Sequence, residues 1–161
     1  MDNRRNTLHG FLWTIQQHEK RCGQHNDTVT GLLIDHGREF MAHTLDPDFP
    51  RMAPKQCFRN AMTLALEYPQ DLVYCEGYVS ALIPILHGWC ADEDGQVVDP
   101  TLDRPDDREY FGIPFKLSYA AEYHNTRGLP ILADWEGRYP VLRTPVHRWL
   151  AGEFLTGKVK V

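Results

Sequence analysis

Apolar positions recur at helical spacing in two stretches of this chain and give way to strand-like runs between and beyond them. In residues 8–21, LHGFLWTIQQHEKR, Leu8, Phe11, Leu12 and Ile15 fall at intervals of three and four, the period that lines one face of an α-helix. Gly23 follows as a helix stop. In residues 57–68, CFRNAMTLALEY, Phe58, Ala61, Met62, Ala65 and Leu66 repeat that spacing. Pro54 and the polar Lys55-Gln56 stand ahead of it and Pro69 behind it, so the pattern predicts a helix that begins at Cys57.

Between these helices, residues 28–45, TVTGLLIDHGREFMAHTL, read best as two short strands around Asp35-His36-Gly37, with a helix in the second half as the alternative. Residues 45–56 carry three prolines and read as a loop. Past the second helix the pattern changes. Residues 72–79 (LVYCEGYV), 83–91 (IPILHGWCA) and 96–101 (QVVDPT) predict three consecutive strands, with a turn at Asp92–Gly95 and an end at Pro100. Residues 110–115, YFGIPF, read as an aromatic cluster docked on the core, and 116–125 as a helix. The remainder reads as a short strand around Pro130-Ile131-Leu132 and a helix at 145–154, and the polar residues 1–6 are expected to fray. A helix followed by an antiparallel meander is an α+β arrangement.

The 161 residues suit a single domain, 1–161, with an N-terminal helix and short strands in 1–53. Hydrophobic residues at 42% and charged residues at 24% lie near globular averages and argue against disorder. The net charge of −5 and the absence of a long Lys/Arg run argue against binding to a nucleic-acid backbone. No stretch reaches the roughly 18 apolar residues of a membrane span. The start, MDNRRNTLHG, lacks the apolar run of a secretory signal. The expected setting is therefore the cytoplasm, with Cys22, Cys57, Cys75 and Cys90 as reduced thiols.

One of these thiols stands at a helix start. The first N–H groups of a helix are unpaired and carry roughly half a positive charge, which favours a thiolate. An imidazolium partner adds to the effect and can bring a Cys pKa from about 8.5 into the 3.5–7.5 range. His87 lies thirty residues after Cys57 on one predicted strand, and Asp99 lies twelve further on the next. A carboxylate on a neighbouring strand can hold one ring nitrogen of the histidine and turn the other toward the thiol.

Strand parity tests that arrangement, because side chains alternate faces. A two-residue turn at Asp94-Gly95 would put His87 and Asp99 on opposite faces. A three-residue loop, Glu93-Asp94-Gly95, pairs Asp92 with Gln96 and puts His87, Trp89 and Asp99 on one face. The three-residue loop needs a left-handed residue at its last position, and Gly95 is there. The expected oxyanion donors are the Cys57 backbone N–H and the Gln56 side-chain amide. Trp89 is expected to pack beside the histidine and shield the His–Asp pair from water. Tyr110, Phe111 and Phe115 read as core, and His124 and His147 as surface. Metal binding is not expected, since His87-x-x-Cys90 is one close pair where structural zinc usually takes two.

These residues resemble a family pattern. Cys57 opens a helix as CFRNA, and YCEGYV leads into HGWCADEDGQVVDPT, residues 87–101. This is similar to the Cys helix, the His-aromatic strand and the Asp-Pro-Thr strand of the transglutaminase-like, papain-like cysteine proteins, among them the leader peptidases of lasso-peptide pathways and bacterial and phage members of the same superfamily. The match covers about residues 54–115, with Gly88 where alanine is more usual. The resemblance implies a Cys-bearing helix packed on an antiparallel sheet, with Cys57 as nucleophile, His87 as base and Asp99 as orienting acid.

The expected function is cysteine-dependent acyl transfer on a peptide or other amide or thioester substrate, a peptidase or amidase ahead of a transamidase, with no cofactor. The alternative is a non-catalytic interaction module on the same fold, with residues 1–53 as the partner-binding part.

Overall fold

The structure, a computed structural model, describes residues 8–24 and 27–152 of the chain. Helix α1 (Leu8–Arg21) runs over the stretch whose periodicity predicts it, and Gly23 follows at φ +79°. Residues 28–45 depart from their reading as two strands. They form helix α2 (Val29–His36) and then one short strand, β1 (Arg38–Phe40). The Thr28 hydroxyl accepts a hydrogen bond from the Gly31 N–H at 3.0 Å and so caps α2. The helix buries Leu33 completely. Capping and that burial outweigh the β-branched composition of Val29 and Thr30.

Helix α3 (Cys57–Glu67) starts at Cys57 as the spacing predicts. Strands β2 (Val73–Val79), β3 (Ile85–Ala91), β4 (Val97–Val98) and β5 (Tyr110–Phe115) follow. Every strand pair is antiparallel, and the order across the sheet is β1-β5-β2-β3-β4. Two expectations need correction here. The third meander strand is two residues long rather than 96–101, because Asp99 turns the chain out of the ladder. Its Oδ1 accepts the N–H groups of Thr101 and Leu102 at 2.9 and 3.2 Å. Residues 110–115 are no cluster docked on the core; they are a fully buried strand between β1 and β2.

Helix α4 (Leu117–Arg127) ends at Gly128 in the left-handed region. The strand expected around Pro130-Ile131-Leu132 is a 3-10 turn, Ile131–Ala133. Its first N–H groups go to a buried carboxylate, Glu76, instead of a sheet partner, at 2.9 Å from Ile131 and 2.8 Å from Leu132. The expected 145–154 helix is the four-residue α5 (Val146–Trp149), and residues 153 and 154 of that expectation, like residues 1–6, lie outside the described residues.

The sheet curls until its two ends meet. The Met41 N–H donates to the Gly95 carbonyl at 2.9 Å and the Val97 N–H to the Met41 carbonyl at 2.8 Å, which joins the end of β1 to the start of β4. Alternation along the strands then divides the apolar residues into two cores. Phe40, Val73, Cys75, Trp89, Ala91 and Tyr110 fill the inside of the curl. Tyr74, Cys90, Ile113 and Phe115 face outward and pack with Leu12, Leu33, Ala61, Leu64 and Trp149. Gly112 lets the curl close around Trp89: a Cβ there would stand 2.5 Å from the indole ring. No described helix is long and apolar enough to cross a membrane.

Candidate active site

The approach to α3 is sharp. Lys55 takes φ +64°, an uncommon conformation for a side-chain-bearing residue, two positions before Cys57. The helix starts at once, with the Asn60 N–H donating to the Gln56 carbonyl at 2.8 Å. Cys57 is half-buried, and its backbone N–H belongs to the first helical turn, where no intrahelical acceptor exists.

Strand β3 lies under this helix start, and Gly88 sets how closely. A Cβ at Gly88 would sit 2.8 Å from Phe58 Cδ1 and 3.0 Å from Phe58 Cα. Gly88 therefore lets the first turn of α3 press onto the strand that carries His87.

The β3–β4 connection has the three-residue form that parity requires. Asp92 pairs with Gln96 through an N–H to carbonyl bond of 3.0 Å, and Gly95 takes φ +79°. Asp92 Oδ1 also accepts the N–H groups of Asp94 and Gln96, each at 2.9 Å, which fixes the loop. Cys90 faces Val98 and Ala91 faces Val97, so His87, Trp89 and Asp99 share the inner face. His87 Nε2 and Asp99 Oδ2 are 2.7 Å apart, and both residues are buried. With Nε2 committed to the carboxylate, Nδ1 is the nitrogen left for Cys57.

The electrostatics of the three residues are mutually consistent. Burial alone would push the Cys57 pKa up; hydrogen bonding to His87, the charge of His87, and the backbone N–H groups of Gly88 and Phe58 overcome it and bring it below the ordinary thiol value. Burial likewise works against a charged His87, but Asp99 and Cys57 raise its pKa to about 9. Asp99 pays the same burial penalty and is still lowered, by His87, the Thr101 N–H and the Tyr110 hydroxyl. The directions favour a thiolate–imidazolium pair backed by a carboxylate. Burial drives Cys75 and Cys90 the opposite way, toward neutral thiols. All four cysteines are free.

The supporting residues flank the triad. Gln56 is exposed and its side chain makes no capping hydrogen bond, while its carbonyl accepts the Asn60 N–H at the helix start. Trp89 is fully buried and lies nearly parallel to the His87 ring, 13° between planes and 6.4 Å between centroids. Its indole Nε1 has no hydrogen-bond partner.

Three groups escaped the sequence reading. The Tyr110 hydroxyl donates to Asp99 Oδ2 at 2.9 Å, the same oxygen that holds His87. The Asn60 Nδ2 donates to the Ala53 carbonyl at 2.7 Å and to the Thr101 hydroxyl at 2.9 Å, which ties the loop before Cys57 to the turn after Asp99. A polar residue interrupting the apolar face of α3 was the available signal for Asn60; Tyr110 gave none. His124, read as surface, has partners instead: its Nε2 lies 3.1 Å from the Tyr74 hydroxyl and 3.5 Å from Glu76 Oε1.

No family model, curated protein or solved structure matches this chain. The chemistry of the site therefore rests on its own residues. Among the described residues, no group of three or more His, Cys, Asp and Glu side chains is placed to hold a metal ion.

Proposed function

We propose that this protein is a cysteine-nucleophile acyl-transfer enzyme, a peptidase or amidase, on a papain-like or transglutaminase-like version of the α+β fold and working in the reducing cytoplasm. The Cys57 thiolate attacks the carbonyl carbon of an amide or thioester, and the carbonyl electrons move onto oxygen. The Cys57 backbone N–H, unpaired at the head of α3, is the nearest donor for that oxyanion. The His87 imidazolium then gives its Nδ1 proton to the leaving nitrogen or sulfur as the bond to carbon breaks, leaving an acyl-enzyme. Neutral His87 next takes a proton from water while the water oxygen attacks the acyl carbon, and the thiolate departs. An amine in place of that water makes the reaction a transamidation. Asp99 stays ionised and keeps the imidazole in the required tautomer.

The observation that supports this reading is the joint tuning of the three groups: a half-buried Cys57 lowered by His87, and a buried His87 raised by Asp99 and by Cys57, with Asp99 Oδ2 2.7 Å from His87 Nε2. A structural thiol lacks that coupling, as Cys90 illustrates, with its Sγ donating to the Ala61 carbonyl at 3.1 Å.

The test is mass spectrometry after treatment with an electrophilic amide mimic such as a peptidyl acyloxymethyl ketone. The expected adduct is on Cys57, lost in Cys57→Ala and in His87→Ala. Labelling spread over all four cysteines, or unchanged in His87→Ala, would remove the basis for the assignment.

A further inference from the structure

A cavity of about 340 Å³ opens along the flank of α3. Phe58, Arg59 and Met62 form one wall, and His124, Leu129 and Pro130 the other. At 1.5 Å per residue, Phe58 to Met62 lie roughly 1.5–7.5 Å along the helix axis from the nucleophile. The cavity runs beside the first helical turns; Cys57 itself does not line it, and Phe58, the next residue, is the lining residue nearest to it in the chain.

The far wall is held from below by Glu76, which is completely buried. Its Oε1 accepts from the Tyr74 hydroxyl at 2.7 Å and the Ile131 N–H at 2.9 Å, and its Oε2 from the Leu132 N–H at 2.8 Å. His124 Nε2 contacts the same Oε1 and the same hydroxyl. One carboxylate therefore fixes both His124 and the segment that follows Pro130, so the wall is built before any ligand arrives. Burial, then Glu76, raises the Tyr74 pKa, so its hydroxyl stays a neutral donor to that carboxylate.

The lining combines apolar residues with the polar Thr63 and His124 and one guanidinium, Arg59. Phe58, Met62, Leu129 and Pro130 supply hydrocarbon surface. Arg59 has no ion-pair partner among the described residues. In a chain of net charge −5, an unpaired guanidinium beside apolar walls is a local reversal of the overall field. A guanidinium pairs best with a carboxylate, which it can grip through two parallel N–H bonds.

We propose that this cavity binds a carboxylate-bearing apolar end of the substrate, with the carboxylate on Arg59, the hydrocarbon stem against Phe58, Met62 and Leu129, and the scissile carbonyl at Cys57. The inference rests on the acyl-transfer reading of Cys57 and narrows its substrate to a chain with an anionic end near the cleaved bond. The carboxylate is either a peptide C-terminus or an acidic side chain.

Three thiol reagents separate these cases: iodoacetyl-alanyl-leucine with a free carboxyl end, its C-terminal amide, and iodoacetyl-alanyl-glutamic acid amidated at its C-terminus. The readout is the ratio of Cys57 labelling rates, charged over neutral, followed by mass spectrometry at pH 8.5, where thiols react whether or not they are activated. The expected ratio is about tenfold for the reagent whose carboxylate fits, against the repulsion that the net charge would otherwise impose. The faster of the two charged reagents identifies the source of the carboxylate. Arg59→Gln brings the ratio to one or below, and Arg59→Glu inverts it. Arg21→Gln, on α1, keeps it. A ratio at or below one in the parent protein, or one that survives Arg59→Gln, overturns the proposal. Failure of the acyl-transfer reading is separate: Cys57 would then show no advantage over Cys22 toward plain iodoacetamide at pH 6, while the ratio at pH 8.5 would still report on the cavity.

Discussion

His87 Nε2 and Asp99 Oδ2 stand 2.7 Å apart on the inner face of a curled sheet, His87 on β3 and Asp99 at the residue that follows β4. Their contact depends on the number of residues between those strands. The three-residue loop closed by Gly95 puts both side chains inside; a loop one residue shorter would send Asp99 to the other face.

The thiolate–imidazolium pair predicts a distinctive alkylation profile. With Cys57 lowered and His87 raised to about 9, iodoacetamide is expected to label Cys57 about tenfold or more faster than exposed Cys22 at pH 6. The Cys57 rate is expected to reach its plateau at a lower pH than an ordinary thiol does. Rate measurements on each cysteine from pH 5 to 10 check this, and a Cys57 profile rising only above pH 8 would contradict it.

His87 also links stability to pH. Its folded pKa of about 9 lies above the ordinary histidine value, so the folded state favours the protonated ring. That contribution is complete below roughly pH 6.5 and is lost as the pH rises through about 9. Removing one member of a buried ion pair costs about 3 kcal/mol, so His87→Gln should destabilise by about that much at pH 6 and by much less at pH 10. Denaturant titrations at the two values give the comparison. An equal loss at both would mean that packing, not charge, is what His87 contributes.

Tyr110 is expected to act through Asp99. The hydroxyl donates to a carboxylate oxygen at 2.9 Å, and hydrogen bonds to charged groups contribute about 1.5–3 kcal/mol, so Tyr110→Phe should cost about 2 kcal/mol at neutral pH. Asp99 has a depressed pKa, so its contribution is present above the ordinary carboxylate range and lost as the pH falls through the lowered value. Losing the Tyr110 donor raises that value. The acid unfolding limb of Tyr110→Phe should therefore begin at higher pH than in the parent protein, and coincident limbs would exclude the role.

Gly88 offers a test of how the helix start is seated. A methyl there meets the backbone of Phe58 at 3.0 Å, which cannot swing aside as a side-chain tip can. Gly88→Ala is expected to lift the first turn of α3 from β3, weaken the Cys57–His87 coupling and lower Cys57 alkylation at pH 6 about tenfold, with an overpacking cost of about 1–3 kcal/mol. Retention of the parent rate at pH 6 would show that the close approach is not needed.

Much of this site is local, and local features are legible in a sequence. The period of α3, the prolines around it and the Gly95 turn are set by interactions within a few residues, so Cys57 at a helix head and the shared face of His87, Trp89 and Asp99 follow from spacing alone. What the tertiary structure decided involves partners far apart in the chain. Burial of Leu33 in the core drew a β-branched stretch into α2, and the return of β5 to a place between β1 and β2 brought Tyr110 to Asp99. Glu76 drew His124 and the Ile131 turn onto one buried carboxylate across fifty residues or so, at separations of 48 and 55. Such contacts are stabilised by desolvation and hydrogen-bond satisfaction inside a closed core, which exist only once distant segments have met.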